Sequence, residues 1–441
     1  MEDDVVAPTA DSMRPGEPEF PQRRTLAATQ LAVLAAEAWA PDPSSYTLVS
    51  TVEAVGIPDW PILIDTVHRT LHRHDVFSWR LSLDSSYQLV AVGGPETGTT
   101  HEVEQIDLRG SSRPDAHAAV QDRLRVERRC VIPLLQHGGG PTTRVLLFCM
   151  PADQGPGYTA VCSLITHHAI VDEYSTELLW NEVFRRAAQQ TTAERNDRGF
   201  AEWAAESVAP LAVTAGRQAA DEVVQHLGAA RLNAFPQRCS APSDAAIEPP
   251  LRFTVPIALT AAVAARATAL GLPAAALHAA ALMRALARYT GGQDLAVRVP
   301  MARRRSAADL ESVGCYITSL PVLAQGSLSR DSIQQAARKW HGSLRFTSDR
   351  AHADVGALHT MLGGTPQISL TFENRGARHS ARPISWVSLP PPDSSPKADL
   401  HVFLSPGNRH RPGDGRILWR PGILNRRGAQ DLINQFLTYL A

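Results

Sequence analysis

The chain has 441 residues, 44% of them hydrophobic, and 43 Lys+Arg against 44 Asp+Glu leave a formal net charge of -1. That length holds one large domain or two of ordinary size around a real core, and the near-neutral balance argues against bulk electrostatic binding to nucleic acid or an anionic membrane. No stretch approaches the ~20 apolar residues of a membrane span. The opening Met1-Glu2-Asp3-Asp4 lacks the basic region and apolar core of a secretory leader. The five cysteines, Cys130, Cys149, Cys162, Cys239 and Cys315, show no C-x-x-C spacing, which suits a reducing cytoplasm. Lys339 and Lys397 are the only lysines, and the alanine- and arginine-rich composition reads as bacterial.

In chain order, residues 1–22 are acidic and punctuated by Pro8, Pro15, Pro18 and Pro21, and are expected to be a disordered tail. Residues 23–190 read as a first α/β unit. Helices are expected over 30–39 and 62–74, the second with Leu63, Val67 and Leu71 at four-residue spacing. Strands follow near 78–83 and 87–92, then a helix over 113–128 and a hairpin of 142–150 and 158–166. A helix runs out from Ser175 to about 190. Residues 191–250 read as a connector, alanine-rich and mostly helical, then loop-like near Pro236 to Pro250. Residues 251–441 repeat the α/β alternation. Helices are expected over 260–269 and from Pro273 to before Gly291-Gly292, where proline suits a first turn and glycine a C-terminus. Strands over 295–299 and 317–323, a helix over 331–347 and a strand over 367–372 follow. The Pro- and Ser-rich segment 376–397 reads as a long loop before a closing helix over 428–440.

The chemistry concentrates in Thr166-His167-His168-Ala169-Ile170-Val171-Asp172-Glu173-Tyr174-Ser175, at the end of an apolar strand and the start of a helix. Adjacent strand residues point to opposite faces, so His167 and His168 cannot easily serve one site. That divergence argues against a two-histidine, one-carboxylate metal centre, and no metal is expected. A neutral imidazole suits proton transfer from an amine or hydroxyl. The competing reading is a pair of satisfied core histidines. Asp172, at the strand-to-helix turn, can pair with an arginine and hold the loop's shape. His68, His72 and His74 fall at a helix end, where they are expected on the surface, and His352 and His359 have no nameable partner.

The histidine run resembles the H-H-x-x-x-D-G signature of the chloramphenicol-acetyltransferase-like superfamily, which includes the condensation domains of non-ribosomal peptide synthetases. Other segments resemble condensation-domain motifs in the same order. Thr25-Leu26-Ala27-Ala28-Thr29-Gln30 is similar to an opening L-T-x-x-Q. Leu71-His72-Arg73-His74-Asp75-Val76-Phe77 is similar to L-x-x-R-H-E-x-L-R, with Ser78 in place of its final arginine. Val297-Arg298-Val299-Pro300-Met301-Ala302-Arg303-Arg304 is similar to V-G-T-P-V-A-G-R, and Val313-Gly314-Cys315-Tyr316-Ile317-Thr318-Ser319-Leu320-Pro321 to I-G-x-F-V-N-T-L-P. Ser369-Leu370-Thr371-Phe372-Glu373-Asn374 resembles a strand ending in asparagine, and Lys397-Ala398-Asp399-Leu400 an x-F-D-L strand start.

The resemblance implies an α/β (α+β sandwich) fold of two acetyltransferase-like lobes in a V. A tunnel would run through their junction, and a segment near 376–397 would cross between lobes like a latch. It implies a monomeric condensation enzyme of natural-product biosynthesis, which composition and cysteine usage place in a bacterial cytoplasm. Such an enzyme passes an acyl group from a phosphopantetheine thioester on an acyl or peptidyl carrier protein to an amine, or less readily to a hydroxyl. Coenzyme A is the alternative donor, and a silent module that recruits partner proteins is the alternative function. No adenylation or carrier segment is recognised in the chain, so those partners would act in trans or belong to a longer protein. His168 would be the catalytic residue, and His167, Asp172 and Arg304 supports, with Asp172 paired to Arg304. Glu173, Ser175 and Asn374 would line the substrate side. Glu173 replaces the family's usual glycine, where it either adds bulk near the acceptor or favours the first turn of the helix.

Overall fold

Two six-stranded mixed sheets carry the fold of this computed structural model, which describes residues 22–38, 40, 42–83, 89–93, 101–132, 134, 141–151, 157–189, 199–235, 248–326, 331–373 and 378–441. The first sheet runs in the order Arg378–Ala381, Ile384–Leu389, Thr47–Ile57, Tyr158–His167, Thr143–Cys149, His101–Asp107, with only the last pair parallel. The second runs Ile317–Ala324, Leu295–Ala302, Ile368–Phe372, Leu400–Ser405, Gly413–Trp419, Leu251–Val255. A small sheet of Gln22–Arg24, Leu89–Gly93 and Arg80–Leu83 lies beside the first lobe. The tail expected over 1–22 falls outside the described residues except for Gln22, which opens a strand.

Alternation decides which way each strand faces. On Thr47–Ile57, Val52, Ala54 and Ile57 pack with Leu63, Val67 and Leu71 of the helix Trp60–Arg73, whereas Val49 packs with Val120 and Leu124 of Arg113–Arg129 on the opposite face. Those helices start where polar side chains satisfy their free N–H groups: Asp59 accepts from Ile62, and Ser112 from Asp115. In the second lobe the helix Ala274–Thr290 buries Leu277, Leu282 and Leu286. Among the described residues no single helix is long and apolar enough to cross a membrane.

Three expectations are corrected. The segment 376–397 is not one loop: Arg378–Ala381 and Ile384–Leu389 form a hairpin that pairs with Thr47–Ile57 of the first sheet. Trp386 anchors it, 4% exposed, with its ring 5.0 Å from that of Phe184. Residues 251–441 therefore do not all belong to the second lobe. Nor is 191–250 a separate connector. Phe200 and Trp203 of the helix Phe200–Ser207 sit in the first lobe's core, and Ala220 and Val223 of the helix Pro210–Leu227 sit in the second's.

The lobes also interlock at a loop. Val313, Cys315 and Tyr316, between strands of the second sheet, pack into the first lobe's core. The Tyr316 ring lies 4.3 Å from that of Trp203 and 5.2 Å from that of Phe200. Gly314 permits this approach, because a Cβ there would stand 2.1 Å from Phe200 Cδ2.

Candidate active site

The strand Tyr158–His167 ends in a tight turn, and the helix Glu173–Ala187 begins five residues after His168. Asp172 caps that helix, accepting from the Ser175 N–H at 2.8 Å. The turn is held by its backbone: the His168 N–H donates to the Tyr46 carbonyl at 2.8 Å, and the Ile170 N–H to that of His167 at 2.9 Å. The Gln30 side chain donates to the Ala169 carbonyl at 2.9 Å.

The two histidines part as strand geometry requires. His167 is fully buried; its Nδ1 accepts from the Ala169 N–H at 3.0 Å, and its Nε2 lies 3.0 Å from Glu37 Oε2. His168 lies deep in the protein yet keeps accessible surface. Its Nδ1 is buried with no hydrogen-bond partner among the described residues, which leaves Nε2 as the nitrogen that can meet a substrate. Burial, and next the Lys397 ammonium, push its pKa down to about 3. His168 is thus a neutral base throughout the neutral range.

Asp172 joins the lobes. Its Oδ1 lies 3.1 Å from Arg304 Nη2, and its Oδ2 accepts from the Tyr316 N–H at 2.9 Å. Its own N–H donates to the Gly314 carbonyl at 3.1 Å. Arg304 also donates to the carbonyls of Ser312, at 2.6 Å, and Asp309, and its guanidinium sits 4.0 Å from the Tyr316 ring centroid. A buried ion pair with every Asp172 oxygen engaged fixes the histidine loop of one lobe to the Ser312–Tyr316 loop of the other.

Ser175 is corrected from substrate contact to structural support. It is fully buried, and its Oγ lies 2.7 Å from Asp172 Oδ1, 2.6 Å from the Gly314 carbonyl and 2.6 Å from Arg304 Nη2. Ser175→Ala should lower stability by about 1–3 kcal/mol, by leaving buried partners unmet, and leave KM unchanged. Urea midpoints and steady-state kinetics check this; a raised KM at unchanged stability would restore the substrate role.

Glu173 is exposed in the first turn of its helix, a position favourable to the helix dipole. Asn374 lies outside the described residues. His74 is not on the surface: it is buried with Nε2 3.1 Å from Glu182 Oε2, while His72 is exposed. Burial opposes it, but His74, Arg73 and Arg186 hold Glu182 down to about 2. His352 does have a partner, Arg305 Nη2 at 3.0 Å from its Nδ1. Among the described residues no three His, Cys, Asp or Glu side chains gather as metal ligands. A surface depression lined by Phe372, Glu373, Ser405 and Arg411 lies at the far end of the second-sheet strands from Lys397 and apart from the histidines.

Sequence reasoning missed Tyr46, Arg128 and Lys397. Lys397 Nζ stands 4.3 Å from the Tyr46 ring centroid. Burial first, then Arg128 and Arg298, push its pKa down to about 7. Burial likewise lowers Arg128 to about 10. The scarcity of lysine was the one available signal.

A family model described as a condensation domain matches residues 22–363. Comparison with curated proteins gives no match. The first condensation domain of the CDA synthetase superposes with a TM-score of 0.77 at 17% identity, covering 95% of both chains. A mutant starter condensation domain of rhizomide synthetase, in complex with C8-CoA and Leu-SNAC, gives 0.73 at 17%, covering 95% of this chain and 93% of that one. A four-domain nonribosomal peptide synthetase bound to AMP and glycine gives 0.73 at 15%, covering 98% of this chain and 33% of that one.

Proposed function

Because this chain belongs to the condensation-domain family, whose members are acyl-transferring enzymes, we propose that it forms an amide from a pantetheine thioester and an amine, with His168 as its catalytic residue. The observation that carries this is a neutral histidine at the lobe junction, its Nε2 free and its loop clamped by Asp172 and Arg304. The amine nitrogen bonds to the thioester carbonyl carbon, and the C–S bond breaks. His168 accepts the proton that the nitrogen must lose and returns it to the departing thiolate. A fixed imidazole also holds the amine in line, which matters more for an amine already partly neutral at pH 7 than for a hydroxyl.

A neighbour's complex with C8-CoA and the synthetase context of another support a pantetheine donor. We assign that donor to a carrier protein. Offering one acyl group on a carrier protein and on coenzyme A, with product read by mass, tests the choice. Faster transfer from the carrier is expected; equal or faster transfer from coenzyme A would make the chain a CoA-dependent acyltransferase.

The pH profile follows from His168. With its pKa near 3 it is already a base at pH 5, so kcat/KM with an α-amine should show no step from His168 near 6.5; a change near 7 belongs to Lys397 and one near pH ~8 to the amine. A step near 6.5 that moves in a His168 variant would contradict this. Stability carries the same sign. Between the unfolded value of 6.5 and about 3, the unfolded chain binds the proton that the folded protein excludes, so stability should fall with pH through that window. His101, held down to about 4 by burial and then by His72 and His68, adds to the fall.

A further inference from the structure

Three cations share the interior that holds His168, and among the described residues none of them forms an ion pair. Lys397 comes from the second lobe, just before the strand Leu400–Ser405, and stands over Tyr46, whose carbonyl takes the His168 N–H. Arg298, on Leu295–Ala302, donates to the Lys397 carbonyl at 2.9 Å. Arg128 comes from the first lobe, at the end of Arg113–Arg129, and its Nε is buried without a hydrogen-bond partner among the described residues. The carboxylates nearby are engaged or turned to solvent. Glu37 faces His167 Nε2 at 3.0 Å, Asp42 accepts from Ser44 at 2.6 Å and from Ser395, and Glu173 is exposed; Asp42 and Glu173 attract Arg128 without closing an ion pair to it.

Buried cations without counter-ions are costly, and natural sites keep them where a ligand brings the negative charge. Lys397, Arg128, Arg298 and His168 all lie deep, yet each keeps some accessible surface. We propose that this cluster binds a carboxylate of the acceptor, so that the nucleophile is a small molecule with a free carboxylate close to its amine, not an aminoacyl thioester whose carboxyl is masked. The proposal rests on the condensation reading above. An α-amino acid carries its carboxylate one carbon from its amine. Anchoring the carboxylate on Lys397 and Arg128 therefore delivers the amine to the neighbouring imidazole. The carboxylate is unchanged by the reaction: the N–C bond forms, the C–S bond breaks, and the amine's proton leaves with the thiol. A bound carboxylate also favours the charged form of Lys397, so binding raises the lysine's pKa.

The test offers wild-type protein an acyl-loaded carrier with two acceptor pools, the common free amino acids and the same amino acids as amides. Acylation of the free acids at least tenfold faster than of the amides is expected, with Lys397→Gln bringing the ratio close to one and Lys397→Arg keeping it. Wild type using amides, or carrier-bound aminoacyl thioesters, as well as free acids would overturn the proposal and leave the condensation reading intact. Acylation of nothing would count against the condensation reading, and the anion site is then decided separately. With Lys339 and Lys397 the only lysines, 13C-lysine labelling gives two signals, assigned by Lys339→Arg. The free-acid pool should raise the apparent pKa of Lys397 by about one unit or more and leave Lys339 unmoved, while the amide pool moves neither. No shift, or a shift with inorganic phosphate alone, would overturn the proposal in favour of an empty or a phosphate-binding interior.

Discussion

His168→Ala should lower kcat for acyl transfer by about 10²–10⁴, the usual contribution of a positioned proton-transfer group, with little change in stability. The ring's Nδ1 has no hydrogen-bond partner among the described residues, and the tie from residue 168 to Tyr46 runs through the backbone N–H, so truncation removes chemistry and leaves the scaffold. His167→Ala should do the reverse. That ring accepts the Ala169 N–H and faces Glu37 from a fully buried position, so its loss should appear in the urea midpoint before it appears in kcat. Kinetics and denaturation on both variants separate the two roles. Equal loss of activity and equal loss of stability in the two would contradict the division.

Asp172→Ala should destabilise the protein by about 3–5 kcal/mol, because it strands the Arg304 guanidinium in a dry interior. The damage should cross the lobes, since Asp172 also receives the Tyr316 N–H and gives its own N–H to Gly314. Activity should fall with stability, as the loop presenting His168 loses its far anchor. The double variant Asp172→Ala/Arg304→Met should be less damaged than the sum of the single ones, because neither charge is then left alone. Denaturant midpoints measure the cycle; strict additivity would show that the two side chains do not act as a unit.

The histidine loop was legible because its chemistry is contiguous: strand, turn, cap and helix follow one another from Tyr158 to Ala187, and strand alternation alone separates His167 from His168. The partner arginine lies 132 residues further on, and three neighbouring arginines compete for the role. The family resemblance, not the spacing, singles out Arg304, and the geometry places it against Asp172, while Arg303 stacks on Trp203 and Arg305 meets His352. Ser175 misled because a hydroxyl one turn after the motif's aspartate looks the same in sequence whether it faces substrate or a buried carboxylate.

The hairpin at 378–389 was hidden by Pro383 and the run Pro390-Pro391-Pro392, which read as loop, and its pairing partner lies more than 300 residues earlier. The strand Thr47–Ile57, central to the first sheet, was passed over because Pro41, Pro43, Gly56 and Pro58 surround it with turn signals. The cation cluster left one trace in the sequence, the scarcity of lysine. Its three cations come from positions 128, 298 and 397, and charge without a partner is a property of the folded interior.

The central claim is that neutral His168 moves an acyl group from a pantetheine thioester to an amine. Intact-mass spectrometry of an acyl-loaded carrier protein, mixed with the acceptor amines and this protein, tests it most directly. The account predicts that the carrier loses the acyl mass as an amide appears, at a rate that collapses in His168→Ala. A carrier that binds but keeps its acyl group with every acceptor would contradict it and make the chain a recruitment module of the same fold.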